Sequence, residues 1–139
     1  MILLDTSGVL SALVPGERAH EAAARVLQES EGQFVLSPFV LAELDYLLRK
    51  YAGSDATLDL LDEVARGAYR LVPFTPDNVA QARKVIARYA DLGIGLADAS
   101  IVVLAEALGT VDVLTLDERH FRALRLPEDK AFRILPADA

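Results

Sequence analysis

The chain has no cysteine, which removes disulfides, thiol nucleophiles and thiolate metal sites together and fits a cytoplasmic location. Histidine is scarce as well, with only His20 and His120, so a bound metal would have to be held by oxygen atoms or by those two rings. No apolar stretch approaches the roughly 20 residues needed to span a bilayer, so no membrane association is expected. Asp5 interrupts the opening apolar run before it becomes long, and no basic segment leads into it, so no signal peptide is expected either. Positive charge is in deficit: 14 Lys and Arg against 21 Asp and Glu leave a formal net charge of −7. That balance excludes a protein that grips nucleic acid mainly by surface charge. If the substrate is a polyanion, something must supply positive charge locally.

What is present suits one domain spanning residues 1–139, with 53% hydrophobic and 25% charged residues, enough to bury a sizeable core. The chain opens on Met1-Ile2-Leu3-Leu4, which stops at Asp5-Thr6-Ser7. An unbroken apolar run followed at once by helix-favouring residues reads as a strand buried on both faces of a parallel sheet. Asp5 then lies at its carboxyl end, the edge where open α/β sheets bind ligands.

Downstream, Ser7 to Val14 and Glu17 to Ser30 read as helices separated by Pro15-Gly16, with His20 expected to face solvent. Gln33 to Leu36 is a second strand, and Ser37-Pro38 opens a helix to about Tyr51. Gly53 closes it, Ser54 opens another that ends near Gly67, and Tyr69 to Phe74 is a third strand by its apolar and aromatic content. Thr75-Pro76-Asp77 starts a helix to about Ala90. Gly93-Ile94-Gly95 is a loop, Leu96 to Leu108 a buried helix, Val111 to Leu116 a strand ending at Asp117, and Phe132 to Leu135 a fifth strand. Strands alternating with helices predict a three-layer α/β/α sandwich around a mainly parallel sheet of four or five strands.

Two acids sit where helical phase puts apolar neighbours. Glu43 has Phe39, Val40, Tyr46 and Leu47 three and four positions away, and Asp98 has Ile94, Ile101 and Val102. Both are expected to point inward. Singly, each acid has an ordinary structural reading: Asp98 as a helix amino-terminal charge, Asp5 and Asp117 as turn acids. Together, two acids ending strands at one edge and two more aimed inward make coincidence the weaker account. If the four meet, repulsion of about 4 kcal/mol per pair at 4 Å and an effective dielectric near 20 has to be offset. Protonation or a basic side chain would relieve it in part. A hard divalent cation such as magnesium or manganese would do so most fully.

The segments Leu4-Asp5-Thr6-Ser7, Ala42-Glu43-Leu44, Leu96-Ala97-Asp98-Ala99 and Leu114-Thr115-Leu116-Asp117-Glu118-Arg119-His120-Phe121 carry a resemblance over essentially the whole chain. In order and spacing they resemble PIN-domain proteins, specifically VapC-type toxin ribonucleases of type II toxin–antitoxin systems. The resemblance implies a Mg2+- or Mn2+-dependent endoribonuclease that inhibits translation, with Asp5, Glu43, Asp98 and Asp117 as catalytic, metal-binding acids. It also implies orienting roles for Thr6, Ser7 and Thr115, a homodimer, a cognate VapB-type antitoxin whose tail enters the groove, and a transfer or ribosomal RNA substrate. Arg119 and Arg122, beside Asp117, are candidate RNA contacts; His120 reads better as a packing or supporting residue than as a general acid.

Three other readings compete with this one. An aspartyl phosphatase would want a second acid two residues after Asp5, where Ser7 stands. A phospho-acceptor domain would want a late sheet lysine, yet Lys130 follows Pro127-Glu128-Asp129 in an apparent loop. A catalytically idle PIN-like module that binds RNA or protein is the alternative from another class, and it has no use for four mutually repelling acids.

Overall fold

The computed structural model describes residues 1–139. Its sheet is built from β1 (Ile2–Leu4), β2 (Phe34–Leu36), β3 (Arg70–Leu71), β4 (Asp112–Leu114) and a late strand, Arg133–Leu135, in the order β3, β2, β1, β4 and then that last strand. Every pairing is parallel. Parallel neighbours require crossover helices, and these are α1 (Thr6–Leu13), α2 (His20–Glu29), α3 (Pro38–Ala52), α4 (Ser54–Ala65), α5 (Pro76–Arg88) and α6 (Leu96–Leu108). They flank the sheet in the expected α/β/α arrangement, which is why Leu3, Leu4, Val35, Leu36, Val113 and Leu114 are all nearly inaccessible to solvent.

A short α7 (Glu118–Ala123) follows β4, and a two-stranded antiparallel ribbon of β5 (Arg125–Leu126) and β6 (Lys130–Ala131) leads into β7 (Arg133–Leu135). Lys130, expected in a loop, is therefore on a strand; two residues on each side are too few to leave a periodicity in the sequence. The expected strand over Tyr69 to Phe74 shrinks to Arg70–Leu71. Beyond it the chain turns away so that Phe74 packs edge-on against Phe39, ring centroids 5.1 Å apart. The helix predicted from Glu17 begins only at His20, because Ala19 adopts a left-handed conformation (φ 60°).

Two glycines shape the part that matters for function. Gly8, in the first turn of α1, lies so close to Leu114 that a Cβ there would collide with the Leu114 carbonyl oxygen; only glycine lets α1 approach β4 this closely. Gly109 ends α6 at φ 70°, the conformation that most side chains resist. α6 itself is buried over Ala99 to Ala105, as its near-continuous apolar content requires.

Candidate active site

Register assembles the site. Leu4 of β1 lies opposite Leu114 of β4, and the ladder continues one step further as Asp5 N–H donates to Leu114 O at 3.0 Å. The residues that leave the two strands, Asp5 and Thr115, are therefore neighbours at the carboxyl edge of the sheet. Asp5 occupies the cap position of α1 but makes no side-chain cap hydrogen bond. Its carboxylate instead accepts from Thr115 Oγ1 at 2.6 Å and Ser7 Oγ at 2.9 Å. Ser7 Oγ lies 3.1 Å from Thr115 Oγ1 and accepts from Leu116 N–H at 3.0 Å. Asp5 is buried at 5% exposure. Burial pushes its pKa up, and the hydrogen bonds from Thr115, Ser7 and the Thr6 backbone pull the other way.

Glu43 enters from α3, where its Oε1 accepts from Thr6 Oγ1 at 2.6 Å. It does not point into the core as its helical neighbours implied: the residue is exposed. The buried stripe of α3 is Val40, Leu44 and Leu48, one position round from Glu43. Tyr46, counted among the apolar neighbours, is itself 65% exposed. Glu43 thus stands at the surface beside the site, held by a threonine from α1.

Asp98 sits in the first turn of α6 with its side chain 21% exposed. Its pKa is pushed up to about 6, by loss of hydration first and then by the charge of Asp5; His120 opposes the shift, and Asp117 and Glu43 add to it. The start of α6 is tied to the start of α3 by a buried hydroxyl pair, Ser37 Oγ and Ser100 Oγ at 2.7 Å. Ser37 also caps α3 by accepting from Phe39 N–H at 3.2 Å. Only the cap was legible in the sequence.

Asp117 does two jobs. Its carboxylate accepts from His120 N–H at 3.0 Å, capping α7, while its own N–H donates to Thr115 Oγ1 at 2.9 Å. His120 Nδ1 lies 2.8 Å from Asp117 Oδ2 and 3.5 Å from Asp98 Oδ2. The nitrogen is buried and makes no well-aligned hydrogen bond, so what places the ring between the two acids is its close approach to both, through which it opposes the rise in the Asp98 pKa. The signal for His120 was its position three residues after Asp117 on a helix, which sequence alone could not distinguish from packing on Phe121.

Asp5, Asp117 and Glu43 therefore come close enough to Asp98 to raise its pKa, with no arginine or lysine among them. No group of three or more His, Asp or Glu side chains is arranged to hold an ion directly. An all-carboxylate donor set of this looseness still fits a hydrated magnesium or manganese ion, which keeps several waters and takes one or two carboxylates directly. His20 lies elsewhere and is not solvent-facing as expected: half-buried, it donates from Nδ1 to Ser11 O at 2.8 Å. Arg119 is exposed, whereas Arg122 is committed to Asp138, at 2.8 and 3.1 Å, and to Glu118, at 2.7 and 3.2 Å.

A parallel sheet carrying this ordered set of acids at its carboxyl edge defines a class, and the comparisons agree: the PIN domain family matches residues 2–126. The chain belongs to the PIN-domain family. It is 40% identical over 135 residues to Ribonuclease VapC26 of Mycobacterium tuberculosis, covering 97% of this chain and all of that protein. Among solved structures it is similar to M. tuberculosis VapC20, a sarcin–ricin-loop-cleaving toxin, with a TM-score of 0.78 and 22% identity over 84% of this chain and 90% of that one. It is also similar to VapBC2 of Rickettsia felis bound to promoter DNA, with a TM-score of 0.67 and 20% identity over 96% and 98% of the two chains.

Proposed function

We propose that this chain is the toxin of a type II toxin–antitoxin pair, a VapC-type endoribonuclease that depends on Mg2+ or Mn2+ and inhibits translation by cutting RNA. One observation carries the reading: Asp5, Asp117 and Glu43 all act on the charge of Asp98, with no arginine or lysine among them and only His120 beside Asp98 and Asp117, in a chain 40% identical to a ribonuclease.

Asp5, Asp98 and Asp117, with Glu43 on α3, are the residues that would hold the ion. When bound, a divalent ion supplies a water of lowered pKa and neutralises charge on phosphate oxygens. The chain's own residues prepare the site. Thr115 and Ser7 fix the carboxylate of Asp5, and Thr6 fixes that of Glu43. The Ser37–Ser100 pair sets α3 and α6 in register. With its pKa raised to about 6, Asp98 is mostly ionised at neutral pH but takes up a proton more readily than an ordinary carboxylate, and a cation that offset its acidic neighbours would hold it ionised. No histidine or serine nucleophile is required.

The proposed partners are a VapB-type antitoxin and, for a homodimer, a second copy of the chain. The toxin–antitoxin assembly in the Rickettsia felis structure supports the first. The exposed Tyr46, Tyr51 and Leu58 on α3 and α4 offer apolar surface for such contacts. The deciding experiment incubates purified protein with total cellular RNA and magnesium or manganese, wild type beside Asp5→Asn and Asp98→Asn. Metal-dependent cutting lost in both variants supports the reading; cutting that survives both overturns it. Binding without cutting by the wild type would favour the idle PIN-like module.

A further inference from the structure

The acid site has no arginine or lysine; of the two arginines beside Asp117, Arg122 is already spent on Glu118 and Asp138, and Arg119 lines no part of the cavity beside the sheet edge. Another arginine stands closer to the sheet edge in space than in sequence. Arg18, from the loop between α1 and α2, lines a cavity of about 320 Å³ together with Ala22, Thr115, Leu116, Glu118 and Pro136. Thr115 is the residue whose hydroxyl holds Asp5, so this cavity opens at the same carboxyl edge, on the β7 side of the acids. Neighbouring strands are about 5 Å apart, which places it within the length of a short strand of RNA crossing the site.

We propose that Arg18 is a substrate-binding residue, taking a phosphate of the RNA strand beside the scissile bond. This rests on the ribonuclease reading for the nature of the substrate. Three features favour it over a solvated turn. Arg18 is exposed and, of the arginines that enter no ion pair (Arg18, Arg66, Arg70, Arg83, Arg88 and Arg119), is the one lining this cavity. The one carboxylate facing the cavity, Glu118, is matched by Arg122 at 2.7 Å, which leaves Arg18 without an internal competitor and lowers the repulsion a phosphate would meet there. The segment presenting Arg18 is also held from beneath: the buried hydroxyl of Ser11 donates to the Arg18 carbonyl, and His20 Nδ1 donates to the Ser11 carbonyl at 2.8 Å. Two polar side chains, one of them buried, are thus used to fix the backbone of a loop whose side chain is left free. Preorganisation of this kind lowers the entropic cost of binding, and a guanidinium suits a phosphate through paired N–H donors.

The test uses the full-length chain. In an Asp5→Asn background, anisotropy of a fluorescein-labelled single-stranded RNA of mixed sequence is measured over a range of salt concentrations, with and without Arg18→Ala, Arg18→Lys or Arg83→Ala. Arg83 is exposed on α5 and lines no part of this cavity. Arg18→Ala is expected to weaken binding roughly tenfold and to reduce the slope of log K against log salt by about 0.7, the value for one lost single-strand phosphate contact. Arg18→Lys should keep the slope, and Arg83→Ala should change neither. Affinity and slope unchanged in Arg18→Ala, or no RNA binding by any form, would overturn the proposal. If Arg18→Ala weakens binding while the wild type with magnesium or manganese leaves RNA intact, Arg18 stands as an RNA contact and the ribonuclease reading falls instead.

Discussion

Asp117 and Glu118 are consecutive, yet they belong to charge clusters built on opposite rules. Glu118 and Asp138 share the guanidinium of Arg122 on an exposed surface, and the hydrogen bonds from Arg122 hold the carboxyl of Asp138 down at about 2. Asp117 faces Asp98, Asp5 and Glu43 with only hydroxyls and the His120 ring for company, and Asp98 is pushed up to about 6. Arginine is therefore within reach of the cleft and is placed one residue away from it. A cluster that served stability alone would resemble the first; the second suits acids kept available for a cation.

That contrast can be broken or sharpened, beginning with the largest effect. Asp5→Asn and Asp98→Asn should each lower metal-dependent RNA cleavage by at least about a hundredfold, read as initial rates on total RNA; a milder loss would place the two acids outside the chemistry. Divalent metal should raise the melting temperature of the wild type, by an amount equivalent to about 2.7 kcal/mol at a hundred times Kd. Asp5→Asn should lose that response, whereas Arg122→Ala should keep it. Thr115→Val removes the hydroxyl that donates to Asp5 at 2.6 Å and should weaken manganese binding by about ten- to a hundredfold in calorimetry.

The pH response comes next in size. Asp98 in the folded chain has a pKa raised from 3.8 to about 6, so between those values the folded state holds a proton that the unfolded state has released. Metal-free stability should therefore fall as pH rises through that window and level off above it. The full shift corresponds to about 3 kcal/mol, and screening by solvent at this partly open site reduces it to roughly 1–2 kcal/mol. The burial-raised pKa of Asp5 acts in the same direction. Denaturant melts at several pH values, with Asp98→Asn flattening the curve, check the assignment; a wild-type curve that rises across the window would contradict it. Smallest of all, Arg122→Ala should lower the melting temperature only slightly, by an amount that added salt erases.

Much of this was written in the order of the residues. The opening run of β1, the proline and serine that begin α3, the apolar length of α6 and the alternation of strand and helix all follow from local preference and periodicity, and they led to the parallel sandwich. The identities of Asp5, Glu43, Asp98 and Asp117 were visible because an acid after a buried strand or beside apolar helical neighbours stands out locally. The orientation of Glu43 was not visible. Helical phase gives relative angles within one helix, but which face turns inward is fixed by what packs against it, and Val40, Leu44 and Leu48 won that place.

Other features depended on contacts between residues far apart in the chain. The sequence by itself determined the inventory: a chain without thiols, short of positive charge, with strands ending in acids. Tertiary structure decided that Gly8 allows α1 to meet β4, that Thr115 reaches Asp5 across 110 positions, that Ser37 finds Ser100, and that Arg122 is occupied while Arg18 is free. Such pairings have no local signature, because a side chain's preferences are set by its neighbours in sequence while its partner is chosen by sheet register and helix packing.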